Sequence, residues 1–224
     1  MFKQKNTQLR RYEQTVEAYE KQPVETGKIL FYGSSGFTNW RRGKYDNRPL
    51  EEDIRMKDGS DAAVNHGFGG GTIEEGLYYY DRLVKPWAPR AIVLRFFPND
   101  VGYGYTPEEI VYQIGLFCYR AKADFPGIKL YICDAMPHLR YVDNALWQTL
   151  AKRFNRLLRE FCQQNEDCYC VSQSTWPGFY EDPADAGNYK KVRQDIWVED
   201  QLHFTQAGYD IYRDLFLNAL DDIL

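Results

Sequence analysis

A short polar stretch, residues 33–36 with the sequence GSSG, follows an apolar run and contains a serine, Ser35, that could act as a nucleophile. A hydroxyl attacks a carbonyl efficiently only when a neighbouring base removes its proton. The chain has three histidines, and one of them, His203, follows a carboxylate, Asp200, by three residues. In a loop, Asp200 can accept the Nδ1 proton of His203 and leave Nε2 facing a serine. These residue types are suited to acyl transfer, but GSSG can also be a plain turn, and Asp200 with His203 an exposed ion pair.

Acyl transfer also requires hydrogen-bond donors for the negatively charged oxygen of the tetrahedral intermediate. The backbone N–H of Ser35 is one candidate. Gly70 is a second, because no Cβ blocks the approach of a substrate there. The side-chain amide of Asn99 is a third, since Pro98 before it has no N–H. The glycines of residues 67–71 could instead serve backbone geometry, and Asn99-Asp100 is a common turn pair.

The pattern of apolar residues predicts strands that alternate with helices. The predicted strands are 28–32, 62–65, 91–97, 128–133 and 169–171. The predicted helices are 9–19, 73–84, 107–123, 144–163 and 207–220. The helices at 73 and 107 follow Thr-x-x-Glu capping boxes, the second with proline at the first helical position.

Alternating strands and helices favour a parallel sheet covered on both faces. Ligands of such sheets bind outside the carboxyl ends of the strands. The candidate residues fit this rule: Ser35, Gly70 and Asn99 follow the first three predicted strands, His138 follows the fourth, and His203 precedes the last helix. We therefore expect polar groups that are distant in sequence to converge at one edge of the sheet.

Four sequence blocks resemble those of the SGNH, or GDSL-type, hydrolases: Gly33-Ser-Ser35, Asn65-His-Gly-Phe-Gly-Gly70, Asn99-Asp100 and Asp200-Gln-Leu-His203. The resemblance implies a flavodoxin-like three-layer α/β/α sandwich with a five-stranded parallel sheet. It also implies hydrolysis of esters, with Ser35 as nucleophile, His203 as base, Asp200 as its orienting acid, and Ser35, Gly70 and Asn99 as oxyanion donors. It implies no metal and no cofactor.

Several residues depart from that family pattern or suggest substrate contacts. Ser34 stands where Asp is usual, and Phe97-Pro98 precedes Asn99 where the family has small residues. His66 stands where Arg is frequent; it could touch substrate, although a structural role is favoured. Phe97 could narrow the pocket. The segment 172–199 is long and rich in aromatic side chains. It forms either a flap that brings Trp176 and Trp197 to the substrate or a packed surface loop. Trp40 is expected in the core.

Composition limits the classes of protein that the chain can be. Its 224 residues are 44% hydrophobic and 27% charged, which predicts one globular domain with an N-terminal helix near residues 5–21 and a core from about 28 to 224. The net charge is −4 without a basic run, which argues against a nucleic-acid partner.

The absence of an apolar leader and of a membrane-length apolar run predicts a cytoplasmic protein without a membrane span. Five cysteines are expected as reduced thiols, with Cys168 and Cys170 on one face of a strand rather than half of a metal site.

The sequence thus favours a cytoplasmic serine esterase acting on a small-molecule ester with a short acyl chain, such as an acetylated carbohydrate. Two alternatives stay open. One is a non-catalytic binding module of the same fold, and the other is an acyltransferase that uses the same triad. The oligomeric state is also open.

Overall fold

One parallel sheet forms the centre of the molecule in the computed structural model, which describes residues 4–224. Its strand order is β2-β1-β3-β4-β5, the order of a flavodoxin-like doubly wound fold. The strands are β1 Ile29–Gly33, β2 Ala63–Gly67, β3 Ala91–Arg95, β4 Lys129–Cys133 and β5 Cys168–Val171. The predicted fold class is therefore confirmed. In the register, Gly33 lies between Gly67 and Arg95, so the carboxyl ends of β2, β1 and β3 lie side by side.

Helices cover both faces of the sheet. In the described residues they are α1 Glu13–Glu20, α2 Ser35–Thr38, α3 Leu50–Asp53, α4 Ile73–Tyr78, α5 Tyr80–Leu83, α6 Pro98–Gly102, α7 Pro107–Asp124, α8 Ala145–Gln164 and α9 Gln206–Ala219. Side chains alternate along β1: Leu30 and Tyr32 enter the core beneath α4, α7 and α8, whereas Ile29 and Phe31 enter the core beneath α2 and α9. None of the helices in residues 4–224 is both long and apolar enough to cross a membrane.

Two helices differ from the sequence pattern. The first begins at Glu13 rather than near residue 5 or 9, because the backbone amides of Lys5 and Asn6 bond the Tyr105 hydroxyl instead of forming a helical turn. The predicted helix 73–84 is interrupted at Tyr79. The helical turn ends at Tyr78 and a new one begins at Tyr80, with Tyr79 and Tyr80 both fully buried. Both predicted capping boxes are present.

The segment 172–199 is a packed surface segment. It contains four short 3₁₀ turns, and a backbone bridge joins Tyr180 to Val192. The side chains of Phe179, Tyr180 and Ile196 are buried in the core beneath α9. This supports the packed-loop alternative rather than an aromatic flap.

Two smaller structural predictions are confirmed. Trp40 is fully buried, and its indole N–H donates to Asp53 Oδ2 at 2.8 Å. Cys168 and Cys170 alternate with Tyr169 along β5 and both contact the core beneath α7 and α8.

Candidate active site

Ser35 is the first residue of α2 and follows β1 after a single residue. Gly33 allows this turn because a methyl group there would lie 2.5 Å from the Arg95 carbonyl oxygen on β3. Phe37, fully buried, anchors α2 in the core. The first N–H groups of a helix have no acceptor within it. The amide of Ser35 is therefore available to a substrate.

The turn from Asp200 to His203, which we call the histidine loop, is built around the Asp200 carboxylate. Its Oδ1 accepts the backbone N–H groups of Leu202 and His203, each at 2.9 Å, while Oδ2 lies 2.7 Å from His203 Nδ1. Gln201 takes a left-handed conformation, with φ +58°, to close the turn. Because a carboxylate only accepts hydrogen bonds, the proton is assigned to Nδ1. In the neutral imidazole, the Nε2 atom of His203 then carries the lone pair.

The electrostatics of the histidine loop favour an ionised Asp200. Partial burial opposes the negative charge, but the hydrogen bonds from His203 and from the two backbone amides outweigh it and lower the pKa of Asp200 to about 2. The Tyr45 hydroxyl adds a further bond to Oδ2 at 3.2 Å. His203 Nε2 is buried and has no partner in residues 4–224. The imidazole is thus held in one tautomer with a free acceptor nitrogen.

One small pocket brings the candidate residues together. Its free volume is about 20 Å³, which is room for about one water-sized group. The lining residues are Ser34, Ser35, Gly36, Arg95, Pro98, Asn99, His138, Leu202, His203, Phe204 and Tyr209. Ser35, Asn99 and His203, which are far apart in sequence, therefore share one cavity at the carboxyl edge of the sheet.

Asn99 enters the pocket from α6. Its side-chain N–H donates to the Gly71 carbonyl at 3.0 Å. The next residue, Asp100, is fully buried, and its Oδ1 accepts the Ile73 N–H at 2.8 Å. Burial raises the pKa of Asp100 to about 7. The loop after β3 is thus tied to the loop after β2 through both residues, and Phe97-Pro98 does not displace Asn99 from the pocket.

The glycine loop, residues 67–71, places Gly69 rather than Gly70 beside the serine. A methyl group at Gly69 would lie 3.7 Å from Ser35 Cβ, whereas one at Gly70 would meet the Tyr12 hydroxyl at 2.9 Å. Gly70 has φ +84° and serves to turn the chain. Gly70 therefore stays a predicted donor, and Gly69 is a second candidate from the same loop.

The N-terminal segment holds this loop from outside. The Tyr12 hydroxyl donates to the Gly69 carbonyl at 2.7 Å, and Arg11 donates to the Gly70 carbonyl at 2.8 Å. Arg11 also pairs with the buried carboxylate of Glu75 at 2.5 Å. The position of the glycine loop thus depends on residues about 60 positions away in the sequence.

Two predicted substrate contacts lie in the protein interior instead. His66 is fully buried between Tyr19 and Trp87, and its Nδ1 lies 2.8 Å from the Leu83 carbonyl oxygen. Burial lowers its pKa to about 4. The structural role favoured for His66 therefore agrees with its position, and its ring does not line the pocket.

Phe97 is also directed into the core. Its ring stacks on Phe154, with centroids 4.4 Å apart, and contacts Trp147. Its backbone, with φ +157° and ψ −55°, is one that glycine adopts more readily. Packing of the ring therefore offsets an unfavourable backbone conformation, and Phe97 does not narrow the pocket.

The two tryptophans predicted to contact substrate, Trp176 and Trp197, do not line the pocket that contains Ser35. Trp176 lines a separate surface cavity with Tyr169, Leu215 and other residues near the edge strand β5. Trp197 is buried; its indole N–H donates to the Arg193 carbonyl, and its ring packs against His138 and Phe204. Trp197 thus supports two pocket residues from behind without lining the pocket.

One charged pocket residue, Arg95, is not marked by motif or spacing, since it is a lone charge inside the apolar run AIVLRFF. His138, which follows β4, reaches the carboxyl edge of the sheet as expected. Both are buried and both line the pocket. A charge within a central strand is the signal that could have revealed Arg95. In the range 4–224, no group of three or more His, Cys, Asp or Glu side chains is arranged to hold a metal ion.

Solved structures resemble this fold over nearly the whole chain. A Streptococcus pneumonia protein named for platelet activating factor is 18% identical, with a TM-score of 0.72, covering 96% of this chain and 92% of that chain. A GDSL-like lipase from Bacteroides thetaiotaomicron is 18% identical, with a TM-score of 0.67, covering 97% and 98%. An acetyl xylan esterase is 18% identical, with a TM-score of 0.64, covering 86% and 99%. At these identities the likeness shows the fold.

Sequence comparison decides the family. No curated protein matches the chain. Residues 31–211 match the model of the GDSL-like Lipase/Acylhydrolase family, a span that includes Ser35, Asn99 and His203. Because this match covers most of the sequence, the chain belongs to the GDSL-like lipase/acylhydrolase family.

Proposed function

We propose that the chain is a serine esterase that cleaves carboxylic esters through a covalent acyl-enzyme on Ser35. One observation carries this proposal: Ser35, Asn99 and His203 line one pocket, and His203 Nδ1 is 2.7 Å from the ionised Asp200. A serine, a histidine with a free Nε2 and a carboxylate that orients it are the components of a catalytic triad.

In this mechanism, His203 Nε2 takes the proton of Ser35 as Oγ attacks the ester carbonyl. Asp200 holds the Nδ1 proton and stabilises the positive charge that develops on the imidazole. The protonated His203 then donates its proton to the leaving alcohol. A water molecule, activated by the same nitrogen, releases the acid and regenerates Ser35.

The oxyanion of the tetrahedral intermediate needs donors on the side away from His203. We assign the backbone N–H groups of Ser35 and Gly69 and the side-chain amide of Asn99. We choose Gly69 for this role because a methyl group there would lie 3.7 Å from Ser35 Cβ, and Gly70 is the alternative donor from the same loop. Such donors are effective because they are already oriented before charge develops.

The proposed substrates carry short acyl groups, for example acetylated carbohydrates. The pocket beside Ser35 is small, with a free volume of about 20 Å³, which favours a short acyl group over a long chain. The similar fold of an acetyl xylan esterase gives weak additional support.

The direct test is hydrolysis of p-nitrophenyl acetate by the wild-type chain and by Ser35→Ala. We expect Ser35→Ala to lower kcat by about 10⁴-fold or more, because the nucleophile is lost. Trapping of an acetylated Ser35 in a rapidly quenched reaction, read by mass spectrometry, would identify the intermediate. Equal rates for the two proteins would contradict the esterase proposal and favour a non-catalytic binding module.

A further inference from the structure

The pocket contains a buried positive charge that no protein carboxylate neutralises. Arg95, the last residue of β3, has 5% of its surface exposed and is the one buried Lys or Arg in residues 4–224. It lines the same pocket as Ser35 and His203. The ion pairs of this part of the chain do not include it, whereas the buried carboxylates Asp53 and Glu75 each have an arginine partner.

The guanidinium group is also incompletely hydrogen-bonded. Arg95 Nη1 lies 3.4 Å from Ser34 Oγ, and Nε is buried without a partner. Gly36 allows this placement, because a methyl group there would lie 2.5 Å from Nη1. The absence of a side chain at Gly36 therefore lets the Arg95 guanidinium lie against the backbone next to Ser35. An uncompensated buried charge is costly, so a group outside the chain is the natural source of the missing negative charge.

None of the titratable neighbours of Arg95 supplies that charge. Burial raises the pKa of the Tyr209, Tyr212 and Cys133 side chains, which keeps them neutral. Burial, aided by Arg95 itself, lowers the pKa of His138. His138 Nδ1 lies 3.1 Å from the Leu202 carbonyl oxygen, and its Nε2 is likewise unpartnered. The residues that line the pocket therefore include one full positive charge, on Arg95, and no carboxylate. The ionised Asp200 lies behind His203, to which it is hydrogen-bonded.

We infer that Arg95 binds a carboxylate of the substrate, so that the preferred ester carries a carboxylate close to the bond that is cleaved. This inference rests on the proposed esterase function. A guanidinium matches the planar geometry of a carboxylate and forms strong, charge-assisted hydrogen bonds with it. Because Arg95 and Ser35 line the same pocket, a carboxylate on Arg95 would lie within a few atoms of the ester carbonyl. The carboxylate belongs either to the acyl half or to the alcohol half of the ester.

A binding experiment tests the subsite without relying on catalysis. In Ser35→Ala, succinate should raise the melting temperature in a saturable manner, and the uncharged succinamide should not. In the Ser35→Ala background, Arg95→Gln should abolish the increase in melting temperature. Arg95→Lys should leave part of it, because the positive charge stays and the planar guanidinium group is lost. Arg156→Gln, on the exposed surface of α8, is the matched control and should bind succinate as Ser35→Ala does. No succinate effect, or an equal effect in Arg95→Gln, would overturn the inference.

Two pairs of esters then identify the half that carries the carboxylate. For the acyl half, p-nitrophenyl hemisuccinate is compared with p-nitrophenyl butyrate; for the alcohol half, 4-acetoxybenzoate is compared with 4-acetoxybenzamide. In one pair, wild-type kcat/KM should favour the carboxylate ester by about tenfold or more, and Arg95→Gln should remove that preference. A preference for the neutral ester in both pairs, or a charge preference that persists in Arg95→Gln, would overturn the inference. Failure of the esterase proposal would appear separately, as equal rates in wild type and Ser35→Ala.

Discussion

The histidine loop and the glycine loop flank Ser35, but they are held in place in opposite ways. The histidine loop is ordered mainly from within, because the Asp200 carboxylate bonds both Leu202 and His203, although the Tyr45 hydroxyl also bonds Asp200 from outside the loop. The glycine loop is held from outside, by Tyr12 and Arg11 of the N-terminal segment. Asn99, which comes from a third segment, bonds the glycine loop at Gly71.

This difference matches the different structural requirements of the general base and of the oxyanion site in the proposed reaction. A general base needs one tautomer and one orientation, and a short turn with a single carboxylate provides both. An oxyanion site needs several donors that converge on one point in space. Donors from three strand ends can converge only after the sheet has formed, so this side depends on tertiary structure.

We expect the largest loss of activity from substitutions in the histidine loop, which supplies the general base His203. His203→Ala should lower kcat on p-nitrophenyl acetate by about 10⁴-fold or more, because no other group in the turn can take the serine proton. Asp200→Asn should cost about 10⁴-fold, since the amide no longer fixes the Nδ1 tautomer. Steady-state kinetics at saturating substrate measure both. A loss below tenfold for His203→Ala, in a protein with wild-type melting temperature, would contradict the role of His203 as base.

Removal of an oxyanion donor should cost less. Asn99→Ala should lower kcat by about 10²–10³-fold with little change in KM, because the amide interacts mainly with the charge that develops in the transition state. Asn218→Ala, near the cavity at β5, is the control and should keep wild-type kcat. An equal loss in kcat and rise in KM for Asn99→Ala would indicate ground-state binding instead.

The two glycines Gly69 and Gly70 should respond in opposite ways to substitution by alanine. At Gly69 a methyl group makes only ordinary contacts, 3.7 Å from Ser35 Cβ and Thr38, so the fold should tolerate it while the substrate carbonyl is obstructed. We expect a fall in kcat/KM of about tenfold with an unchanged melting temperature. At Gly70 the methyl group would occupy a left-handed conformation against Tyr12, which costs about 1 kcal/mol or more of stability. Enzyme assays and thermal unfolding on both variants separate the donor from the turn residue, and the reverse result would favour Gly70 as the donor.

The sheet and its order of elements could be predicted from the sequence because each strand is a compact apolar run and helix starts have capping signals. Thr72 and Thr106 show this most clearly. The ends of elements were less predictable, because distant contacts decide them. The Tyr105 hydroxyl, for example, occupies the amides of Lys5 and Asn6 and delays α1.

The site was predictable to the extent that it is local. Asp200 and His203 are three residues apart, and their geometry follows from one turn. The choice between Gly69 and Gly70 depends on Tyr12, which no spacing rule connects to the glycines. The possible substrate contact at Phe97 was misplaced for a related reason: its side chain is large enough to fill the core, and composition does not reveal which face of an element it occupies. For His66, burial agrees with the structural role that the sequence favoured.

The carboxylates beside the two loops should give the protein's stability opposite dependences on pH. Asp200 has a pKa lowered to about 2, so its contribution is present above its ordinary value near 4 and is lost as pH falls through 2.

Asp100, which connects α6 to the loop after β2, has a pKa raised by burial to about 7. The folded state therefore binds more protons than the unfolded state between pH 4 and 7. The stabilisation is complete below about 4 and falls by up to about 1.4 kcal/mol per pH unit as pH rises to 7. Asp134, also buried with a pKa of about 7, contributes in the same direction. Asp100→Asn retains an acceptor for the Ile73 N–H but cannot ionise. The buried His66 and His138 act in the opposite direction, because burial lowers the pKa of each and their folded forms bind fewer protons than the unfolded chain. In urea unfolding at pH 4.5, 5.5 and 6.5, the free energy of unfolding should therefore change with pH in a more positive direction in Asp100→Asn than in wild type, and more so in Asp100→Asn with Asp134→Asn. An unchanged pH dependence in Asp100→Asn would mean that Asp100 is ionised in the folded protein, and that the connection between Asn99 and the glycine loop rests on a charged group.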